Sequence, residues 1–117
     1  MSEIKRAEVG PRMSQAVSHG NTVYLAGQVA SRKPGGSVTE QTTDILAKID
    51  ELLAGAGSDK TKLLSATIWL TDIGTFAEMN KVWDAWVAEG CTQGRGCVEA
   101  TLAAAAYVVV VAGIAAR

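Results

Sequence analysis

The sequence predicts an α+β protein, a mixed sheet with two helices packed on one face, assembled into an oligomer. Three observations carry this. Short apolar segments rich in β-branched residues read as strands, and two segments between them have the 3.6-residue period of amphipathic helices. The third is the last strand, where Val108, Val109, Val110 and Val111 point alternately to the two faces and leave both apolar. One face packs on the helices. Nothing else in the chain is left to cover the other, so further subunits must.

The elements follow in order. Ile4–Val9 is a candidate short first strand. Ser14–Ala30 is apolar but interrupted by His19-Gly20-Asn21, a hairpin signal, with Thr22–Ala30 as the second arm. Arg32-Lys33-Pro34-Gly35-Gly36 is a loop. Ile45, Leu46, Ile49, Leu52, Leu53 and Ala56 then recur at helical spacing, with Ser37-x-x-Glu40 as a capping box and Gly55 and Gly57 as the stop. Leu63–Thr71 reads as a strand. A second capping box, Thr75-x-x-Glu78, is expected to open a helix with Phe76, Met79, Val82, Trp83, Trp86 and Val87 on its apolar face and Gly90 at its end. Gly94–Leu102 and Tyr107–Ala115 complete the order β-β-α-β-α-β-β.

Size and charge bound the function. A chain of 117 residues would expose roughly 6,000 Å² of the roughly 18,000 Å² its unfolded form presents, enough for one core. A single domain over residues 1–117 is expected. Hydrophobic residues make up 48% and the net charge is −1, so no basic excess exists to grip nucleic acid or an anionic membrane. MSEIKRAEVG lacks the apolar core of a signal peptide, and the run Leu102–Ala116 is too short for a membrane span. Cys91 and Cys97 with a single histidine do not make a zinc site. The expectation is a reduced, cytoplasmic protein without metal or cofactor.

Several stretches in this frame are familiar. Ser14-Gln15-Ala16-Val17 followed by Gly20-Asn21-Thr22-Val23-Tyr24-Leu25-Ala26-Gly27-Gln28 resembles the opening of the reactive intermediate deaminase family (RidA-like, or YjgF-like). Glu40-Gln41-Thr42, Ala56-Gly57-Ser58, Leu70-Thr71-Asp72 and Phe76-x-x-Met79-Asn80 fall where that family has matching segments. Gly94-Arg95-Gly96-Cys97-Val98-Glu99-Ala100 resembles its active-site strand. The resemblance implies a chorismate-mutase-like fold, a homotrimer around a central barrel, and clefts between subunits that bind small carboxylates. The chemistry it implies is hydrolysis of 2-imino or enamine acids to 2-keto acids and ammonia without a cofactor. RNA cleavage, reported for some relatives, is opposed here by charge and aromatic placement.

The candidate site residues combine chemistry with that resemblance. An arginine forms two parallel charge-assisted bonds to a carboxylate, and the resemblance gives Arg95 this role. The bland alternative is an ion pair with Glu99 or Asp84. Cys97 shares a strand face with Arg95, and the resemblance puts it beside the substrate; otherwise it is a small buried thiol. Asn80 either borders the ligand cleft or bonds a nearby backbone, and Gly27 marks either a close backbone approach or a bulge. Glu99, on the Arg95 face, reads mainly as a structural partner. Cys91 reads as incidental, His19 as exposed, and the tryptophans as packing.

The departures from the family pattern matter as much. Where the deaminases carry a water-activating glutamate, ungapped register from Arg95 places Val110. Met13 stands where the family has tyrosine, Ala26 where it has serine, and Gln93 where it has proline. Two functional readings follow: an imine hydrolase anchored by Arg95 and weakened at Val110, or a non-catalytic trimer that binds small carboxylates in the same clefts.

Overall fold

The computed structural model describes residues 3–117. Strands β1 (Ile4–Val9), β2 (Ser14–His19) and β3 (Thr22–Gln28) lead into helix α1 (Val38–Gly55). Strand β4 (Leu63–Leu70), helix α2 (Phe76–Trp86), β5 (Gly94–Glu99) and β6 (Val109–Ala116) follow. All six strands share one mixed sheet in the order β1-β2-β3-β6-β4-β5. The pair β4–β5 is parallel, bridged by α2, and the other neighbours are antiparallel.

Local chemistry explains most boundaries. The β2–β3 hairpin turns through Gly20 and Asn21, and Gly20 takes a positive φ (62°), which a type II′ turn needs at its first central position. The first capping box forms as expected: Glu40 N–H donates to Ser37 Oγ (3.1 Å), and Ser37 N–H donates to Glu40 Oε1 (3.0 Å). Past the helix end, Gly57 adopts φ 77°, and Ser58 N–H returns to the Leu53 carbonyl at 2.8 Å.

The second capping box is a correction. Thr75 makes no side-chain cap; its hydroxyl donates to the Asp72 carbonyl at 2.6 Å. A 3₁₀ turn, Ile73–Thr75, precedes α2, and its own entrance is capped by Asp72, whose carboxylate accepts from Gly74 N–H (2.8 Å). Glu78 is then free to serve the other helix. It accepts from both the backbone N–H (3.0 Å) and the hydroxyl (2.9 Å) of Thr39, in the first turn of α1. Further boundaries fall short of expectation. Helix α2 stops at Trp86, where Lys60 Nζ donates to the terminal carbonyl (2.6 Å), rather than near Gly90. Strand β5 stops at Glu99 and β3 at Gln28. The connector from β5 to β6 is held by buried Gln41, which donates to the carbonyls of Gly36 and Ala106 and accepts from Val108 N–H.

Both helices cover one sheet face. Val23, Leu25, Ala66, Ile68, Leu70, Val109, Val111 and Ala115 are buried there with Ile45, Ile49, Leu53, Met79 and Trp83. Among the described residues nothing covers the opposite face, and the principal extents of 45 × 38 × 21 Å describe a two-layer slab. On that bare face Val110, Ala112 and Trp69 are half-buried, and Tyr24 (48%) and Ile114 (36%) are exposed. Strand β6, last in sequence, lies inside the sheet between β3 and β4.

Candidate functional site

Parallel pairing places Arg95 beside Ala66, Cys97 beside Ile68 and Glu99 beside Leu70. These three alternate residues therefore share the helix-side face of β5, as the spacing predicted. Because β5 is the last strand of the sheet, that row lies along its rim, next to α2.

Arg95 is exposed, and its Nη1 donates to Asn80 Oδ1 at 2.7 Å. The guanidinium carbon stands 5.3 Å from the ring centroid of Trp83 and 5.6 Å from that of Phe76. The alternative ion pair does not form. Among the described residues the ion pairs belong to Arg32, with Asp44 and Glu51, and neither Glu99 nor Asp84 neutralises Arg95. Glu99 instead accepts from the backbone N–H of Ile73 at 2.9 Å, which secures the turn before α2. Its structural reading fits that bond. Cys97 is half-buried; burial pushes its thiol pKa up, and the charge of Arg95 offsets this only in part. A thiol held protonated is a poor nucleophile.

A cavity of about 260 Å³ opens beside Arg95, lined by Asn80, Trp83, Asp84, Val87, Thr92 and Gln93. Gln93 Oε1 is buried there with no hydrogen-bond partner among the described residues. The arrangement suits a small anion: a cation with a free edge, a polar amide beside it and an aromatic floor.

The remaining candidates lie elsewhere. Val110 pairs with Trp69, three residues after the Ala66 that pairs with Arg95, so the two side chains leave opposite faces of the sheet. Gly27 sits where the β3–β6 register shifts between Leu25 and Gln28, and a Cβ there would lie 3.0 Å from Val110 Cγ1, so the backbone is both irregular and closely approached at this point. Both residues line an apolar bowl of about 390 Å³ with Trp69, Leu102, Ala103 and Ala112. Met13 is 47% exposed at the mouth of a third cleft, of about 600 Å³, bordered by Gln28 and Lys48. Within one chain Arg95, Asn80, Cys97 and Glu99 form one group, and Gly27 and Val110 a second.

Sequence reasoning missed the aromatic flanks of Arg95. Phe76, Asn80 and Trp83 are four and three residues apart, one row on a helix, and that spacing was a readable signal.

The fold and this rim define a class: a small α+β sheet protein with an uncompensated arginine on its parallel edge strand. Comparison with known proteins makes it specific. Residues 4–117 match the family model described as Endoribonuclease L-PSP. A RutC family protein of Haemophilus influenzae is 40% identical over 100 residues, 86% of each chain. The crystal structure of a YjgF family member from Neisseria meningitidis superposes with a TM-score of 0.94 at 45% identity, over 98% of this chain and 95% of that one. A goat protein named 2-iminobutanoate/2-iminopropanoate deaminase is 41% identical over 83 residues, 66% of this chain and 59% of its own. The chain belongs to the RutC/YjgF family.

Proposed function

We propose that this protein hydrolyses small 2-imino or enamine acids to 2-keto acids and ammonia, slowly, in clefts completed by a second copy of the chain. One observation carries the reading. Arg95 is exposed, held by a neutral amide, and without a carboxylate partner among the described residues, so its charge is available to a substrate carboxylate. The deaminase name of the goat relative supplies the reaction class. A substrate carboxylate on Arg95 places the C=N carbon near the half-buried Cys97 backbone, and positioning alone accelerates attack by water on a reactive imine. Asn80 and Glu99 hold this half of the cleft.

The second half, Gly27 and Val110, leaves the other side of the sheet, and Met13 borders a separate cleft beside Lys48, so one chain cannot bring them all to one ligand. A homotrimer that buries the bare face resolves this and covers Tyr24, Ile114 and Val110 together. No helix among the described residues is long and apolar enough to cross a membrane, and the two free thiols suit the reducing cytoplasm.

Val110 favours a second reading. With a hydrocarbon and Gly27 where a proton acceptor is needed, the same cleft serves as a non-catalytic receptor for small carboxylates. The experiment that separates the two generates imino acids in situ with an amino-acid oxidase and follows semicarbazone formation. Slower semicarbazone formation with protein present supports hydrolysis, because imine that is hydrolysed is lost to the trap. Unchanged signal with every imino acid tried, alongside measurable carboxylate binding, supports the receptor.

A further inference from the structure

We propose that Phe76, set against the fixed ring of Trp83, is a positioning residue that presets the guanidinium of Arg95 for a planar, two-oxygen anion. The inference rests on the reading of Arg95 as a carboxylate anchor and deepens it.

An arginine on an edge strand has a neighbouring strand on one side only, and a long side chain loses rotamer freedom when it binds. Here that freedom is already restricted from three directions, all supplied by one row of α2. Asn80 Oδ1 holds Nη1 at 2.7 Å. Trp83, 3% exposed, is anchored in the core, and its ring centroid lies 5.3 Å from the guanidinium carbon. Phe76 lies 5.6 Å away from the same carbon. Core packing does not account for Phe76, which is 37% exposed. Its ring covers arginine rather than the interior.

The contacts leave one edge open. Among the described residues Asn80 is the only hydrogen-bond partner of the Arg95 side chain, so Nε and Nη2 remain for a ligand. That pair of parallel N–H groups matches the two oxygens of a carboxylate. The rings attract the cation through their faces without competing for its donors. A carboxylate neighbour would also have held the arginine, but it would have occupied the edge the ligand needs. Aromatic flanks and a neutral amide hold the group and leave its charge unspent.

The test uses 2-oxobutanoate as probe, with affinity measured by calorimetry on the assembled protein for wild type, Phe76→Leu, Phe76→Tyr, Arg95→Ala and the double variant Phe76→Leu/Arg95→Ala. Phe76→Leu should weaken binding about two- to five-fold, the size of an exposed cation–π contact. Phe76→Tyr keeps the ring face and should bind as wild type. In the Arg95→Ala background Phe76→Leu should have no further effect, since a residue that acts through arginine cannot act without it. Relaxation of the ¹⁵N-labelled Arg95 Nε should report a more mobile guanidinium in Phe76→Leu at unchanged melting temperature, which lost packing alone would not produce. Wild-type affinity in Phe76→Leu, or an equal loss with and without Arg95, overturns the positioning role while leaving the anchor standing. Wild-type affinity in Arg95→Ala removes the anchor itself, and this inference with it.

Discussion

Val110→Glu tests whether the hydrocarbon at position 110 limits the proposed imine hydrolysis. Val110 faces the bare side of the sheet opposite Trp69, half-buried in an open apolar bowl of about 390 Å³. Its Cγ1 lies 3.0 Å from where a Gly27 side chain would begin, so Val110 already packs over the bare backbone of Gly27 and a longer residue must turn into the open bowl. A carboxylate there would put a proton acceptor into the proposed second half of the cleft. General acid–base help is worth roughly 10²–10⁴-fold when well placed. An unoptimised carboxylate should recover part of that, about ten-fold or more in imine hydrolysis. In the proposed trimer the same charge would replace a valine buried between subunits, which can cost a few kcal/mol and loosen the assembly. Semicarbazone-coupled rates and light scattering must therefore be read on one sample. A Val110→Glu protein that remains assembled and gains no activity would refute the placement of Val110 beside the substrate.

Three other outcomes are expected. Arg95→Lys should weaken carboxylate binding nearly as much as Arg95→Ala, by about 10- to 150-fold for lost charge-assisted bonds, because lysine keeps the charge but not the planar fork; full recovery with lysine in calorimetry would reduce the anchor to a point charge. The particle in solution should weigh about 37 kDa, three times 12.2 kDa, and a monomer at micromolar concentration would leave the bare sheet face without its explanation. Iodoacetamide should modify exposed Cys91 well before Cys97 at pH 8, because burial raises the Cys97 pKa and keeps its thiolate fraction low. Raising the pH should narrow the gap, and Arg95→Ala should widen it by removing the one charge that lowers that pKa; mass spectrometry showing Cys97 labelled first would contradict this.

Much of the fold was legible because its signals are local. Alternation, helical period, Ser37-x-x-Glu40 and Gly20 act within a few residues, so the six strands and two helices appear in the predicted order. The shared face of Arg95, Cys97 and Glu99 follows from the two-residue period of a strand alone. The same reasoning failed at Thr75-x-x-Glu78. There the pattern is present, but an adjoining 3₁₀ turn saturates the helix entrance, and Glu78 is drawn to Thr39, 39 residues away in sequence.

By itself, the sequence determined the elements, the family resemblance, the arginine and the doubly apolar last strand. Only the tertiary structure decided that this strand enters the middle of the sheet, that Arg95 lies between two aromatic rings rather than beside an acid, and that Val110 leaves the opposite face. The reason is one of range. Backbone propensity and period are properties of neighbours along the chain, whereas strand order and the company a side chain keeps arise from segments tens of residues apart.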